Sequence, residues 1–302
     1  MSQFMKKTFY KQRESFLQIL PSREKQFSIP KDVIEEQNLP YEDDKCASHR
    51  LNIYYPKNQA GQSLPVIINV HGGGLIIGSK EYNRYFCAQL SQSGYLVFNI
   101  EYRLVPDCLF FDQCNDVFRA MDYIKQHLTK YHGLPEQVYA VGDSGGACLL
   151  TYCAAMQNNQ KLALAANVQP SSLKIECLGL ISGMFYTHKF DKIGLFLPQY
   201  LYGKNYRHGV FAPYINPEHP DIIKSLPPCF LVTSHDDYLH HYTLQFEKAL
   251  TRYQTPHFLL DFPQNKELSH AFSVIDPYRV ESQKVFHDMI HFFENGGAYE
   301  LR

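Results

Sequence analysis

Residues 137–156 have the sequence QVYAVGDSGGACLLTYCAAM, in which an apolar run, a glycine-bounded serine and a stretch of small residues follow one another. The run 137–141 predicts a buried strand, and the stretch 147–156 predicts a helix. The Gly-Asp-Ser-Gly-Gly between them predicts a sharp turn with Ser144 at its apex, because only glycine lets neighbouring chain pass so closely. Such a turn holds the hydroxyl above the sheet, at the positive end of a helix. Ser144 is therefore a candidate nucleophile.

A second glycine motif, His71-Gly72-Gly73-Gly74, closes the apolar run 64–70. Consecutive glycines after a buried strand leave backbone N–H groups that can point at an anion. Acyl transfer needs such donors where the carbonyl oxygen becomes negative, and each is worth about 3 kcal/mol of the barrier. A phosphate loop is the alternative, but the sequence lacks the Gly-Lys-Ser/Thr and Gly-x-Gly-x-x-Gly patterns typical of one. The N–H that follows the serine would add a further donor.

A serine nucleophile needs a base to take its proton and an acid to orient that base. For a serine on a strand-to-helix turn the expected chain order is serine, acid, histidine. Strand-like runs at 229–233 and 258–262 are followed by Asp236-Asp237 and by His270, respectively. Because the carboxyl ends of parallel strands share one edge of a sheet, these loops are expected to lie near the serine.

In this order the motifs resemble those of the hormone-sensitive lipase-like branch of the α/β-hydrolase superfamily, a family of carboxylesterases. The resemblance spans roughly residues 50–295. Besides the two glycine motifs, the matching pieces are Glu101-Tyr102-Arg103-Leu104-Val105-Pro106-Asp107, Asp237-Tyr238-Leu239 and His270-Ala271-Phe272. The resemblance implies an α/β-hydrolase fold, which is a three-layer αβα sandwich with a mostly parallel central sheet and a helical cap.

The resemblance also implies a role for each site residue. Ser144 would be the nucleophile, His270 the general base and then acid, and Asp237 the carboxylate that orients it. The oxyanion hole would be formed by the N–H groups of Gly73, Gly74 and Gly145. The implied reaction is two-step hydrolysis of short- or medium-chain acyl esters, with no cofactor.

Two departures from the family pattern surround the acid. Tyr238 stands where the family usually has proline, and His240 stands where it has a second acid. Asp236 therefore stays a rival to Asp237, which is preferred because the following Tyr-Leu matches the family spacing. Three other functions remain open: an amidase or peptidase with the same triad, a deacetylase of acetylated carbohydrate, and a non-catalytic ligand receptor.

The composition of the 302-residue chain agrees with one large α/β core, so a single domain spanning 1–302 is predicted. The net charge of −1 offers no case for a nucleic acid or an anionic membrane as a partner, and a small-molecule ester is expected. The sequence contains neither an apolar stretch long enough to span a membrane nor a secretory signal, so a cytoplasmic protein is expected. A homodimer is left open, since relatives of this type often dimerise.

Two regions are predicted to form the cap, about 1–45 and about 183–220. The first has Phe9 and Phe16 at helical spacing up to Pro21, and it is predicted to add helix and no strand to the sheet. The second is an insertion too aromatic to be a bare solvent loop. If both form the pocket, deleting residues 1–40 is expected to change substrate preference more than sheet stability.

Other conspicuous residues are assigned no chemistry. The ligand-rich cluster around the acid lacks the spacing of a zinc site, so no metal is expected; it comprises His235, Asp236, Asp237, His240 and His241. His71 is expected to steady the glycine loop, and Glu101 and Arg103 are candidates for an ion pair beneath the site. Five cysteines in apolar contexts are predicted to be reduced core residues, namely Cys87, Cys148, Cys153, Cys177 and Cys229. The other three, Cys46, Cys108 and Cys114, are predicted to be more exposed.

Overall fold

The computed structural model describes residues 3–59 and 61–298, and an eight-stranded sheet runs through it. The strands are β1 (Val33–Pro40), β2 (Arg50–Pro56), β3 (Leu64–Val70), β4 (Leu96–Ile100), β5 (Gly133–Asp143), β6 (Cys177–Ile181), β7 (Cys229–Ser234) and β8 (His257–Phe262). Their spatial order is β1-β2-β4-β3-β5-β6-β7-β8. β2 pairs antiparallel with β1 and β4, and the remaining neighbours pair in parallel.

Helices fill most of the connections between the strands. They are α1 (Gln3–Leu17), α2 (Leu20–Gln26), α3 (Arg84–Gln92), α4 (Phe110–His127), α5 (Gly145–Asn158), α6 (Gln160–Ala166), α7 (Lys192–Phe196), α8 (Pro198–Leu201), α9 (Pro220–Ile223), α10 (His240–Arg252), α11 (Phe272–Ile275) and α12 (Val280–Glu294). Short 3₁₀ turns lie at Lys57–Gln59, Lys80–Asn83, Leu128–Tyr131 and Ala212–Ile215. In the described ranges no helix is both apolar enough and long enough to cross a bilayer.

The sheet separates two apolar clusters. Successive side chains of a strand point to opposite faces, so Val66 and Ile68 of β3 pack with α4 and α5, whereas Ile67 packs with α3 and α12. The inner strands are buried on both faces, which suits a parallel sheet covered by helices. The predicted three-layer αβα sandwich with a mostly parallel sheet is therefore confirmed.

The prediction that residues 1–45 add no strand to the sheet is wrong. α1 and α2 are helical as expected, and Pro21 lies in the first turn of α2, but Val33–Pro40 forms the edge strand β1. Its sequence is rich in polar residues because an edge strand has one partner and stays partly exposed, and charge there discourages pairing with other chains. Glu35 accepts two hydrogen bonds from Arg84 of α3, at 2.7 and 2.6 Å.

All eight cysteines are free, as predicted for the five in apolar contexts. Cys46 is partly exposed, but the prediction of greater exposure is wrong for Cys108 and Cys114, which are buried. Cys114 lies on the face of α4 that packs against the sheet, among the apolar residues that the helical period brings together.

Candidate active site

Ser144 lies between the end of β5 and the first residue of α5, and its backbone is strained. Its φ and ψ are 49° and −115°, a region that residues with a side chain rarely adopt. The turn is held by the Ser144 N–H, which donates to the carbonyl of Ile181 at 2.9 Å. A Cβ on Gly146 would lie 2.1 Å from the carbonyl oxygen of Val70, so the helix can begin this close to β3 only with glycine there. This is the turn that the sequence predicts.

His270 and Asp237 are hydrogen-bonded to each other. His270 Nδ1 donates to Asp237 Oδ1 at 2.8 Å, and the Leu239 N–H donates to the same oxygen at 2.8 Å. Burial alone would raise the pKa of Asp237, but the hydrogen bond and charge of His270 outweigh it, so the pKa lies below its usual value. The rival Asp236 instead accepts a hydrogen bond from the Asn265 N–H at 2.7 Å.

Ser144 and His270 line the same cavity. Within the described ranges neither Ser144 Oγ nor His270 Nε2 has a hydrogen-bond partner, and Nε2 is buried. Since Nδ1 carries the proton donated to Asp237, Nε2 presents its lone pair. The imidazole can thus accept a proton from a group in this cavity. Hydrogen bonds of this kind are often long or unformed before substrate binds.

The glycine loop is held from beneath by His71. Its Nδ1 donates to the carbonyl of Gly72 and its Nε2 donates to Glu101, both at 2.8 Å, and its ring stacks on Tyr102 at 4.4 Å. Burial alone would lower the pKa of His71, but the charge and hydrogen bond of Glu101 raise it above the usual value. His71 is a charged donor on both nitrogens and does not face Ser144 as a base.

Three backbone N–H groups near Ser144 are unpaired within the part of the chain that the structure describes. They belong to Gly73, Gly74 and Gly145, and the last has no acceptor inside α5 because it is the first residue of that helix. A Cβ on Gly145 would lie 2.9 Å from the nitrogen of Gly74, so the loop and the turn are in contact. Gly73 and Gly74 have φ of 105° and 60°, which glycine adopts without strain.

Asp143 also belongs to the candidate site, although it is not among the predicted site residues. It is buried directly before Ser144, and its Oδ1 accepts from the Gly72 N–H at 3.0 Å and from Asn83 Nδ2 at 2.8 Å. It therefore ties the serine turn to the glycine loop. Burial raises the pKa of Asp143, although Asn83 acts in the opposite direction. A charged residue between glycines at the end of an apolar strand was the available signal.

Tyr238, noted only as a departure from the family pattern, contacts the candidate base. Its ring lies 4.4 Å from the ring of His270, centroid to centroid, and it lines the cavity. Its side chain is about two-thirds exposed, at 66%. Tyr238 therefore forms the outer wall of the site on the His270 side.

The cavity that ends at Ser144 has a volume of about 890 Å³. Most of its wall is apolar, and α1 and α7 contribute Met5, Phe9, Phe16, Ile193 and Phe196. The two predicted cap regions also touch each other, because Phe9 packs edge-on against Tyr200 at 5.4 Å. The arrangement can receive an apolar molecule and hold one of its polar groups against the unpaired N–H donors.

The ligand-rich cluster around Asp237 forms no metal site, and the pair Glu101 and Arg103 forms no ion pair of its own. Among the described residues no group of three His, Cys, Asp or Glu side chains could hold a metal ion, and His240 points to Asp261 at 3.0 Å. Glu101 and Arg103 do not pair with each other. Glu101 accepts from His71, while Arg103 donates two hydrogen bonds to the buried Asp116, at 2.8 and 2.7 Å.

Comparison with known proteins agrees with this geometry. The family model BD-FAE matches residues 51–183. A probable isoprenylcysteine alpha-carbonyl methylesterase of Arabidopsis thaliana is 30% identical over 199 residues, which are 63% of this chain and 42% of the relative. Neutral cholesterol ester hydrolase 1 of Mus musculus is 37% identical over 116 residues, which are 34% of this chain and 28% of the relative. The chain thus spans less than half the length of these relatives.

Solved structures show the same fold along nearly the whole chain. Esterase B from Lactobacillus rhamnosis superposes with a TM-score of 0.90 at 22% identity, covering 98% of this chain and 96% of that chain. The superposition shows the α/β-hydrolase fold, and the sequence matches to esterases agree with the resemblance to the hormone-sensitive lipase-like carboxylesterases.

Proposed function

We propose that this chain, an α/β-hydrolase of the hormone-sensitive lipase-like type, hydrolyses carboxylic esters with Ser144 as nucleophile. One observation carries the proposal: a strained serine, a His–Asp pair and a set of unpaired N–H donors lie at the end of one apolar cavity. Any one of these parts occurs by itself in proteins without hydrolase activity, whereas acyl transfer needs all of them together. The esterase names of the relatives support the same reaction class.

In the first half-reaction, His270 Nε2 takes the proton of Ser144 Oγ as Oγ attacks the ester carbonyl carbon. The negative charge that develops on the carbonyl oxygen is held by the N–H groups of Gly73, Gly74 and Gly145. His270 is then an imidazolium, which ionised Asp237 stabilises through Nδ1. When the tetrahedral intermediate collapses, the C–O bond breaks and His270 gives its proton to the departing alcohol oxygen.

In the second half-reaction, water replaces the alcohol. His270 takes one proton from water, and the resulting hydroxide attacks the acyl carbon of the Ser144 ester. Collapse of this second intermediate releases the carboxylic acid and returns the proton to Ser144 Oγ. The chemistry requires no cofactor.

Short- or medium-chain acyl esters are the proposed substrates. The cavity volume lies in the upper part of the range of about 300–1,000 Å³ typical of small-molecule sites, and its wall is mostly apolar. An apolar wall favours an acyl group or an alcohol that is itself apolar over an acetylated sugar. Esterase B is inhibited by a tributyrin phosphonate in its crystal structure, and tributyrin is a short-chain ester.

The decisive experiment is labelling with an alkyl fluorophosphonate followed by peptide mass spectrometry. We expect a single adduct on Ser144, none in Ser144→Ala, and turnover of p-nitrophenyl butyrate faster than that of p-nitrophenyl palmitate. A folded protein that neither takes the label nor cleaves any ester would be a ligand receptor instead. Faster cleavage of butyryl p-nitroanilide than of p-nitrophenyl butyrate would identify an amidase.

A further inference from the structure

Large apolar side chains are exposed on the segments that line the cavity. Ile19, Phe196 and Ile275 line the cavity, Leu17 and Leu195 lie within two residues of them in the chain, and Phe190 lies two residues before Lys192, which also lines it. We call these six side chains the apolar rim. Phe190 is 95% exposed and Phe196 is 59% exposed. Several exposed large apolar side chains at one cavity are typical of surfaces that contact something less polar than water.

Helix α1, which contributes seven residues to the lining of the cavity, is basic. α1 contains Lys6, Lys7, Lys11 and Arg13 against a single acidic residue, Glu14, although the whole chain has a net charge of −1. Arg13 is paired with Asp107 at 2.7 Å. The three lysines form no ion pair with a carboxylate of the described residues, and all are exposed. Helix α1 thus has four basic residues and one acidic residue, and Lys11 lines the cavity.

We propose that the apolar rim and these lysines dock the protein on a lipid surface that contains anionic headgroups, with the mouth of the cavity facing the lipid. An interfacial site combines apolar side chains that enter the acyl boundary with lysines that meet the headgroups. Three of the rim side chains line the cavity, so a protein partner bound there would obstruct it, whereas a lipid surface would supply it with an ester. The proposed docking is argued from surface residues alone. Its benefit to catalysis depends on the proposed esterase function.

The docking is tested by sedimentation with vesicles of phosphatidylcholine and phosphatidylglycerol. The rim variant Phe190→Ser/Leu195→Ser changes two exposed residues that do not line the cavity, and we expect its vesicle affinity to fall about tenfold. The matched control, Leu164→Ser/Val210→Ser, removes two exposed apolar side chains that do not line the cavity and should bind as the wild type does. Equal affinity of the two variants would overturn the proposal.

Charge is tested with Lys6→Gln/Lys7→Gln. We expect its affinity for vesicles containing phosphatidylglycerol to fall roughly fivefold per lysine at low ionic strength, and its affinity for pure phosphatidylcholine to stay unchanged. An equal loss of affinity for both kinds of vesicle would contradict the proposed attraction between the lysines and anionic headgroups.

Hydrolysis separates this proposal from the proposed function. The rim variant should cleave water-soluble p-nitrophenyl acetate at the wild-type rate and tributyrin emulsion several-fold more slowly. Vesicle binding by a protein that cleaves no ester would sustain the docking and refute the esterase. A wild type that ignores vesicles but forms a dimer that the rim variant dissociates would assign the rim to a second copy of the chain.

Discussion

Asp237 offers a sharp test of the proposed chemistry at the scale of single residues, because Asp236 beside it is an internal control. Asn at 237 keeps the size of the side chain but removes the charge that fixes the His270 tautomer, and kcat/KM is expected to fall by about 10⁴-fold. Asp236→Asn keeps an oxygen that can accept the hydrogen bond of the Asn265 N–H, so its kcat/KM should stay within about threefold of the wild type. Steady-state kinetics on p-nitrophenyl butyrate measure both, and the reverse ranking would make Asp236 the acid.

The pKa of Asp143 is raised, whereas that of Asp237 is lowered, and the raised pKa makes the free energy of unfolding depend on pH. A carboxyl whose pKa is raised by burial adds to the free energy of unfolding below its unfolded pKa, about 3.9, and that contribution is lost as the pH rises through the folded pKa. Asn at 143 keeps an oxygen for Gly72 and Asn83 without the charge. Asp143→Asn should therefore gain stability relative to the wild type between about pH 4 and pH 7.

Urea unfolding at the two pH values measures this difference, with Asp122→Asn on the exposed face of α4 as the control. The control should change the free energy of unfolding by less than about 0.5 kcal/mol at either pH. A variant at 143 that loses stability relative to the wild type as the pH rises would show that the charged carboxylate is needed by the fold.

The site residues that the sequence predicts are all recognisable from the residues next to them in the chain. Ser144 and the glycines are identified by their immediate neighbours, and His270 and Asp237 by their place after a strand. Asp143 and Tyr238 act through contacts with residues far along the chain, Gly72 and His270. The position of Asp143 between glycines is visible in the sequence, but the partners of Asp143 and Tyr238 are visible only in the folded molecule.

At the scale of elements, the inner strands are recognisable from their own sequence, whereas the edge strand β1 is not. β3, β4, β6 and β7 are buried along nearly their whole length because helices cover both of their faces, and apolar runs of this kind are the clearest strand signal in a sequence. β1 and β2 are not continuous apolar runs. β1 is polar because it is an edge strand, and its register is interrupted by a bulge between Glu36 and Leu39. A polar, irregular edge strand resembles a loop in sequence.

This correction changes the test of the cap, which stays a prediction. A deletion of residues 1–40 would remove β1 and expose the edge of β2, so the deletion should end at residue 18. Without α1 the cavity loses the wall formed by Phe9 and Phe16, and KM for p-nitrophenyl butyrate is expected to rise about tenfold while the preference among acyl chains weakens. Kinetics on an ester panel and far-UV circular dichroism measure the two effects.

Arg13→Ala is the milder companion of this deletion. Arg13 holds α1 in place through the carbonyls of Ile76, Leu104 and Val105, at 2.8, 2.8 and 2.6 Å. Its loss should raise KM in the same direction but by less. If neither change alters KM or chain-length preference, α1 does not form part of the substrate pocket.

At the scale of the whole molecule, the predicted cap and the sheet share one core. Phe9 of α1, Leu201 of α8 and Phe211 belong to the same apolar cluster as Val66 of β3 and Leu149 of α5. A cap with a separate core would unfold by itself, whereas a shared core couples the two. The single domain 1–302 therefore stays the prediction, and the cysteines provide the means to test it.

Seven buried thiols are distributed over both faces of the sheet, with Cys148 in one apolar cluster and Cys177 in the other. Burial raises the pKa of both thiols to about 12, so neither forms the reactive thiolate at neutral pH while the protein is folded. We expect Cys46 alone to react rapidly with a maleimide in the native protein.

Along a urea titration Cys148 and Cys177 should become labelled at the same midpoint, because one domain exposes both faces of its sheet together. Peptide mass spectrometry after brief labelling gives the two midpoints. Cys46, labelled at every urea concentration, is the control for the reagent, and two separate midpoints would divide the molecule into independently unfolding parts.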